Sequence, residues 1–461
     1  MNQKKELFVV KTRLMKTNNS NGNKSRNKEN TFLGKLDKKR INTIAHFSGF
    51  IKRKSDKIKP VFLIFGFYKM ITKNLNTYED WSSEIAILSG KPLSRQAVEE
   101  RMTVKAASMI QLVFKEKLNS VLSEKTRLKD NELFRKFSAI KIDDSTILNL
   151  PEQLNQFFPG NVCNGKKKAQ MKIHALYDFT DNSFSLLNVH NYTDSDQGLA
   201  GNVLPYLNAG DLILRDLGFQ NLTIQKELIQ KEIYFVSKKS PAVNVFDIQT
   251  GQEILLLRYL RKKGCFDGDV WVGSKEKVQM RMIIMPLSKE VAAERRRRIK
   301  KNQKLRFNYS KEYYELLGYS ILLTNISKEI CSRQQIGKLY GLRWRIETIF
   351  KSWKSHFSLE KVMPLRCNNP ERIYCIIYLM LLFIILFQSV WLKKLVLRDL
   401  KTGGQAHLSL LKLSKFFKQH FTTIAAGENK QSLMTQLEKQ CKYDIRYDKK
   451  NTMEKYYKLA A

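Results

Sequence analysis

The chain has 461 residues, 27% of them charged, with 82 Lys and Arg against 43 Asp and Glu, so its formal net charge is +39. A hydrophobic content of 43% suffices for a core and excludes wholesale disorder; the length suggests about two to four domains. The charge excludes the surface of a neutral metabolic enzyme and points to a polyanion, nucleic acid ahead of an anionic membrane.

Six cysteines, at 163, 265, 331, 367, 375 and 441, form no CxxC pair and no Cys/His cluster. Neither a zinc module nor a disulfide framework is supported, and reduced cytosolic thiols fit best. The apolar patch near the N-terminus is too short for a signal peptide. Ile373 to Leu392 approaches the length of about 20 residues that a membrane span needs. Gln388 and Ser389 break it, and a single late span leaves the charge unexplained, so a helix buried in a large core is the preferred reading and no membrane partner is expected.

Residues 1–60 carry 17 Lys and Arg against 4 Asp and Glu and little periodicity, as in a largely disordered leader with electrostatic affinity for DNA. Residues 61–133 read as helical. Trp81, Ile85, Ala86 and Leu88 give one apolar helical face, Ser89 to Pro92 break it, and Ser94 can cap a second helix with Ala97, Val98 and Met102 inward and Arg95, Gln96 and Arg101 outward. That pattern is like a helix-turn-helix, and also like many plain helical hairpins. Residues 134–239 change texture. A strand over 138–144 ends in acids, a strand pair over 171–179 and 183–190 turns at Asp181-Asn182, and a helix covers 196–207. A strand over 211–216 again ends in an acid, followed by a helix over 221–230 and a strand over 233–237. This is an α/β layout of the ribonuclease-H kind. Residues 240–318 read as a β-rich, basic insertion with strands over 253–259, 270–272 and 278–285, then a helix in which 295–306 hold eight Lys and Arg in twelve residues. Such a run is often a solvated face; in a chain this basic, Arg295, Arg296, Arg297 and Arg298 are expected on DNA backbone. A strand over 319–324 and a long helix over 332–356 open the second part of the core, 319–395, and 396–461 form a C-terminal helical region.

The long helix carries the chemistry. At about 100° per residue, Tyr340, Arg343, Glu347 and Lys354 share one stripe with Lys351 beside it. Leu342, Ile346, Ile349, Phe350 and Trp353 form a separate apolar face. One carboxylate among cations at this spacing is also an ordinary i,i+4 ion-pair pattern.

The spacing Tyr340-x2-Arg343-x3-Glu347-x6-Lys354 resembles the Y-(2)-R-(3)-E-(6)-K signature of DDE transposases of the insertion-sequence-four group. Ile142-Asp143-Asp144-Ser145-Thr146 resembles the family's first aspartate, with Asp144, directly before Ser-Thr, the better match. Leu214-Arg215-Asp216-Leu217-Gly218-Phe219 resembles its second. The resemblance covers about residues 75–390 and implies a ribonuclease-H-like core in which Asp144, Asp216 and Glu347 are catalytic and bind two Mg²⁺ ions, with Mn²⁺ as a substitute. Hard oxygen ligands suit Mg²⁺. The implied reaction is cut-and-paste transposition. The protein would bind the terminal inverted repeats, cleave at the element ends and join 3′ ends to target DNA, within a synaptic complex of two protomers, in a bacterial cytoplasm on the nucleoid. Arg343, Lys354, Arg345, Lys351 and Tyr340 are then expected at the DNA. Tyr319, or Ser320 by closer alignment, stands where some relatives stack an aromatic on a flipped base. The family often has an arginine after its fifth strand; here Lys238 and Lys239 stand instead, without the bidentate fork.

Gly160 to Lys167 imitates a GxxxxGK phosphate loop but lacks the Ser or Thr that would bind Mg²⁺, and a strand follows it. His174 and His190 read as structural. Three rivals stay open: a metal-dependent nuclease of the same fold, a repressor with a dead site, and a membrane-anchored basic protein.

Overall fold

The computed structural model describes residues 37–52, 58–123, 132–302, 309–364, 369–392, 395, 408–426 and 430–442. The leader expected over 1–60 lies outside the described residues for 1–36 and 53–57. Its remaining part is not featureless, because Asp37 caps a helix, Lys38–Phe47, that buries Ile41, Ile44 and Ala45. Helices Pro60–Thr72, Tyr78–Ser89, Arg95–Arg101 and Val104–Ser123 follow. Thr77 and Asp80 close a capping box at one end of Tyr78–Ser89, and Gly90, at φ 68°, ends it in the left-handed conformation that glycine adopts without strain. Ser94 caps Arg95–Arg101 as the sequence suggests. Arg101, however, turns inward, with its guanidinium 5.0 Å from the Phe50 ring centroid, so only Arg95 and Gln96 of the three polar residues stay exposed.

The centre is one mixed sheet of ten strands: β1 (Ile140–Leu150), β2 (Pro159–Cys163), β3 (Lys166–Asp178), β4 (Ser183–Asn191), β5 (Leu212–Arg215), β6 (Tyr234–Lys238), β7 (Val245–Asp247), β8 (Phe266–Val272), β9 (Val278–Pro286) and β10 (Tyr319–Thr324). Their order is β2-β3-β1-β5-β6-β10-β9-β8-β7, with β4 paired to β3. β1, β5 and β6 are mutually parallel, and every other pairing is antiparallel. The segment 240–318 therefore does not stand apart from the sheet, since β7, β8 and β9 extend it through β10. The strand expected over 253–259 is absent, because Leu256–Lys263 is a helix with Arg261, Lys262 and Lys263 in its last turn. Cations at a helix C-terminus favour that state. The helix expected over 196–207 is a single turn, Asp196–Leu199, continued as a tighter helix with Pro205 inside.

Strand alternation splits the core into two layers. Leu212 and Leu214 of β5 and Ile140 and Ile142 of β1 face a large cluster that also takes in the N-terminal helices, while Ile213 and Leu176 face a smaller one on the other side. The apolar segment near residue 380 is a helix, Pro370–Ile385, running through the large cluster. Phe383 lies in aromatic contact with Tyr68, Phe357, Phe417 and Phe421, and the Tyr68 hydroxyl donates to the Leu379 carbonyl over 3.3 Å. Continued to Gln388, the 19-residue segment Pro370–Gln388 is long and apolar enough for a membrane crossing, but 78% of its most apolar stretch is buried inside the protein.

Candidate active site

The register of β1 and β5 sets the site. Ile142 pairs with Leu214 and Asp143 with Arg215, so Asp144 and Asp216 fall side by side on the next step. Both have the parity of Ile142 and Leu214, and so face the layer that receives Ile346 and Ile349 of the helix Trp344–Ser355. Glu347 of that helix is thereby brought to two aspartates at distances of 72 and 131 residues from one to the next along the chain.

The single helix expected over 332–356 is two. A capping box of Ser332 and Gln335 starts Arg333–Gly341, and the second helix begins at Trp344. Leu342 and Arg343 keep helical dihedrals, but the ladder switches: the Leu342, Arg343, Arg345 and Ile346 amides donate three residues back. This tightened turn delivers the Arg343 guanidinium among the carboxylates. Nη1 donates to Asp144 Oδ2 over 2.9 Å, Nη2 to Glu347 Oε1 over 2.6 Å, and Nε stands 4.0 Å from Asp216 Oδ1. The Arg343 side chain is only 10% exposed, and its Nε has no hydrogen-bond partner. The Tyr340 hydroxyl donates to Asp216 Oδ1 over 3.3 Å. Lys238 Nζ lies 3.6 Å from the same oxygen and 5.9 Å from the Tyr340 ring centroid.

The cluster is short of positive charge. Burial pushes Asp144 up to about 7, and Asp216 and Glu347 push the same way, against Arg343 and the Ser145 amide. Burial also raises Asp216, but Arg343, Lys238 and hydrogen bonds from the Leu217 amide and Tyr340 outweigh it and hold the carboxyl below its usual value. Burial alone would lower Arg343; Tyr340 and the three acids reverse that and hold its proton more tightly than usual. Three carboxylates sharing one guanidinium make a hard-oxygen donor set that a divalent cation would neutralise. Among the described residues no acids, histidines or cysteines group as a ready metal site in this pose; Arg343 stands between the acids.

Asp143, the neighbour that also fitted the motif, points to the other face. It is fully buried, accepts from Arg215 Nε over 2.9 Å, and lies 2.6 Å from His174 Nε2. This Asp143–Arg215–His174 network ties together the two strands that carry Asp144 and Asp216. It went unread in the sequence, although Asp143 to Arg215 repeats the 72-residue spacing of Asp144 to Asp216, as a parallel register requires. A cleft of about 530 Å³ runs from Asp144 past Tyr192 and Asp196 to Lys354, whose Nζ donates to the Ile147 carbonyl over 2.5 Å.

The other expected residues scatter. Lys351 is exposed on the same helix. Arg345 leaves the cluster and engages the buried Tyr177 hydroxyl. Lys239 turns from Asp216 and donates to the Ser240 carbonyl over 2.9 Å; burial pushes it down to about 8. Tyr319 is half-buried against the smaller core cluster, and its carbonyl accepts from Arg295 Nη1 over 3.2 Å. Arg295 also interacts electrostatically with Tyr340. Arg296 donates to the Tyr314 carbonyl over 2.9 Å, and the exposed Arg297 and Arg298 both pair with Glu294.

The chain is 26% identical over 403 residues to the transposase of insertion sequence element IS231F from Bacillus thuringiensis subsp. israelensis, covering 81% of this chain and 82% of that protein. It is 25% identical over 389 residues to the transposase of IS1151 from Clostridium perfringens, covering 79% and 81%. A piggyBac transposase synaptic complex with hairpin DNA superposes with a TM-score of 0.40 at 10% identity, covering 90% of this chain and 83% of that chain. The family model described as Transposase DDE domain matches residues 136–386, and it takes in all three converging acids and more than half of the chain. The chain belongs to the DDE-domain transposases, enzymes that cleave and transfer DNA.

Proposed function

We propose that the protein binds the terminal inverted repeats of its own element, cleaves at the element ends and joins the 3′ ends to target DNA, with Asp144, Asp216 and Glu347 as the catalytic acids. The observation that carries this is the convergence of three acids from three separate elements on one guanidinium. DDE transposase domains use divalent metal ions, and we assign these carboxylates as the Mg²⁺ ligands, Mn²⁺ being the substitute. Mg²⁺ held there supplies charge stabilisation for the attacking and leaving oxygens of an in-line displacement at phosphorus. The chain's own groups do the rest. Arg343 exchanges its carboxylates for a DNA phosphate, which its planar fork grips bidentately. Lys238 and Lys354, at the two ends of the site, hold the backbone, and Tyr340 keeps Asp216 oriented. β1, β3 to β6 and β10 correspond in this reading to a ribonuclease-H-like core, and the helices over 60–123 to a DNA-binding region. Two protomers would pair two DNA ends, in the bacterial cytoplasm on the nucleoid.

Asp144→Asn, Asp216→Asn and Glu347→Gln should each abolish end cleavage in Mg²⁺ while leaving retention of an end duplex in a gel unchanged, because each removes a ligand charge without touching the basic surface. Near-wild-type cleavage by any one of them would remove that residue from the assignment.

A further inference from the structure

The segment that imitates a phosphate loop forms a hairpin. β2 and β3 are joined by Asn164 and Gly165 at φ 51° and 76°, the two positive values of a type I′ turn. Residues 161–167 are all exposed, so the ribbon projects from the body and buries nothing of its own. It carries Asn161, Asn164, Lys166, Lys167 and Lys168, and no acidic residue lies between Glu152 and Asp178.

The base of the ribbon is nevertheless fixed. Gly160 passes so close to β3 that an added Cβ would lie 2.7 Å from the Lys168 carbonyl oxygen. The Asn161 amide donates to Gln170 Oε1 over 2.9 Å, Gln170 Nε2 to Asn149 Oδ1 over 2.9 Å, and Asn149 Nδ2 to Glu360 Oε1 over 3.0 Å; that oxygen stands 4.0 Å from Lys354 Nζ. A continuous polar chain therefore locks the ribbon to the lysine at the far end of the cleft.

The ribbon also continues the line of β1. From Asp144 there are six residues to Leu150, which pairs with Ala169, and four more to Gly165. Ten extended residues span about 33 Å, close to the roughly 34 Å of one turn of B-DNA. The major groove, about 12 Å wide, admits a two-stranded ribbon; amide side chains suit base edges, and lysines suit phosphates.

We propose that Pro159–Lys168 is a duplex-DNA contact that enters the major groove about one helical turn from the cut. Only the position of the cut rests on the catalytic reading above. Strand addition by a second copy at the β2 edge fits less well, because Pro159 and the register shift between Pro159 and Val162 blunt that edge, and like charges would meet.

The test uses the full chain bound to an end duplex bearing a photoreactive azidophenacyl group on one phosphate at a time, followed by peptide mapping. Cross-links to the 159–168 peptide should peak about ten base pairs from the terminal phosphate. In parallel, the combined change Lys166→Glu, Lys167→Glu and Lys168→Glu should flatten the plot of log affinity against log salt by up to about 2.7, at roughly 0.9 per lost phosphate contact. An unaltered melting temperature identifies that loss as surface electrostatics. No cross-link to this peptide from any position, a cross-link only to a second protein copy, or an unchanged salt slope would each overturn the proposal. Ribbon cross-links in a protein that never cuts would keep it and sink the catalytic reading instead.

Discussion

Asp144 and Asp143 are adjacent, and strand alternation gives them opposite fates. Asp143 is neutralised by Arg215 and lies against His174. Asp144 is half-buried beside two other acids with one shared arginine, and its carboxyl rises to about 7. An acid whose folded value lies above its unfolded value of about 3.9 binds its proton more tightly when folded. The stability it contributes is present in full below about pH 4 and is lost as pH rises towards about 7. In EDTA, the wild-type melting temperature should therefore fall between pH 5 and pH 8 more than that of Asp144→Asn, which has no proton to lose. Parallel melting profiles would show that Asp144 is not under this strain. That Asp144 rather than Asp143 joins Asp216 and Glu347 was legible only through the Ser-Thr that follows it; the Arg215 partner that occupies Asp143 needed the parallel register, which no local pattern displays. The protein contacts of Arg345 and Lys239 were hidden for a related reason. A helical wheel or a strand end gives a direction, but Tyr177 and the Ser240 carbonyl, brought in by distant chain, decide what the side chain meets.

Among the elements, the strands β1, β3, β4, β5, β6, β9 and β10 and the helix Leu222–Gln230 were legible, because each combines apolar alternation or a cap with a turn signal. The break at Leu342-Arg343 was not. Both residues keep helical dihedrals, and only the hydrogen-bond ladder changes, so neither propensity nor periodicity marks it. Leu256–Lys263 was misread as a strand because its leucines and tyrosine suit either state; its three C-terminal cations and the left-handed Gly264 were the overlooked signal. The helix Pro370–Ile385 is the clearest case of composition with two readings. Its Phe383 ring touches aromatic side chains from four other parts of the chain and is fully buried. Phe383→Ala should cost about 3–5 kcal/mol of stability, seen as a lower denaturation midpoint with an unchanged slope. A change near zero would mean that this helix does not pin the helical layers together.

At the scale of the molecule, the sheet brings the site together from distant sequence. Three parallel strands in its middle place two aspartates side by side, the helical layer on one face supplies the glutamate and arginine, and antiparallel strands widen the sheet on both flanks. The net charge announced a polyanion before any motif was read, but composition cannot say where contacts lie; Arg295 and Arg296 bind protein carbonyls, while lysines of a hairpin that looked like a decoy project freely. The central claim, that this surface and these acids together transfer DNA strands, is tested most directly by a joining assay. Purified protein is given Mg²⁺, a pre-cut element end and a supercoiled plasmid, and the products are mapped by sequencing across the junctions. End DNA covalently joined through its 3′ hydroxyl to plasmid phosphate, and absent with Asp144→Asn, is the predicted result. Assembled, folded complexes that cut element ends yet never join them would contradict it.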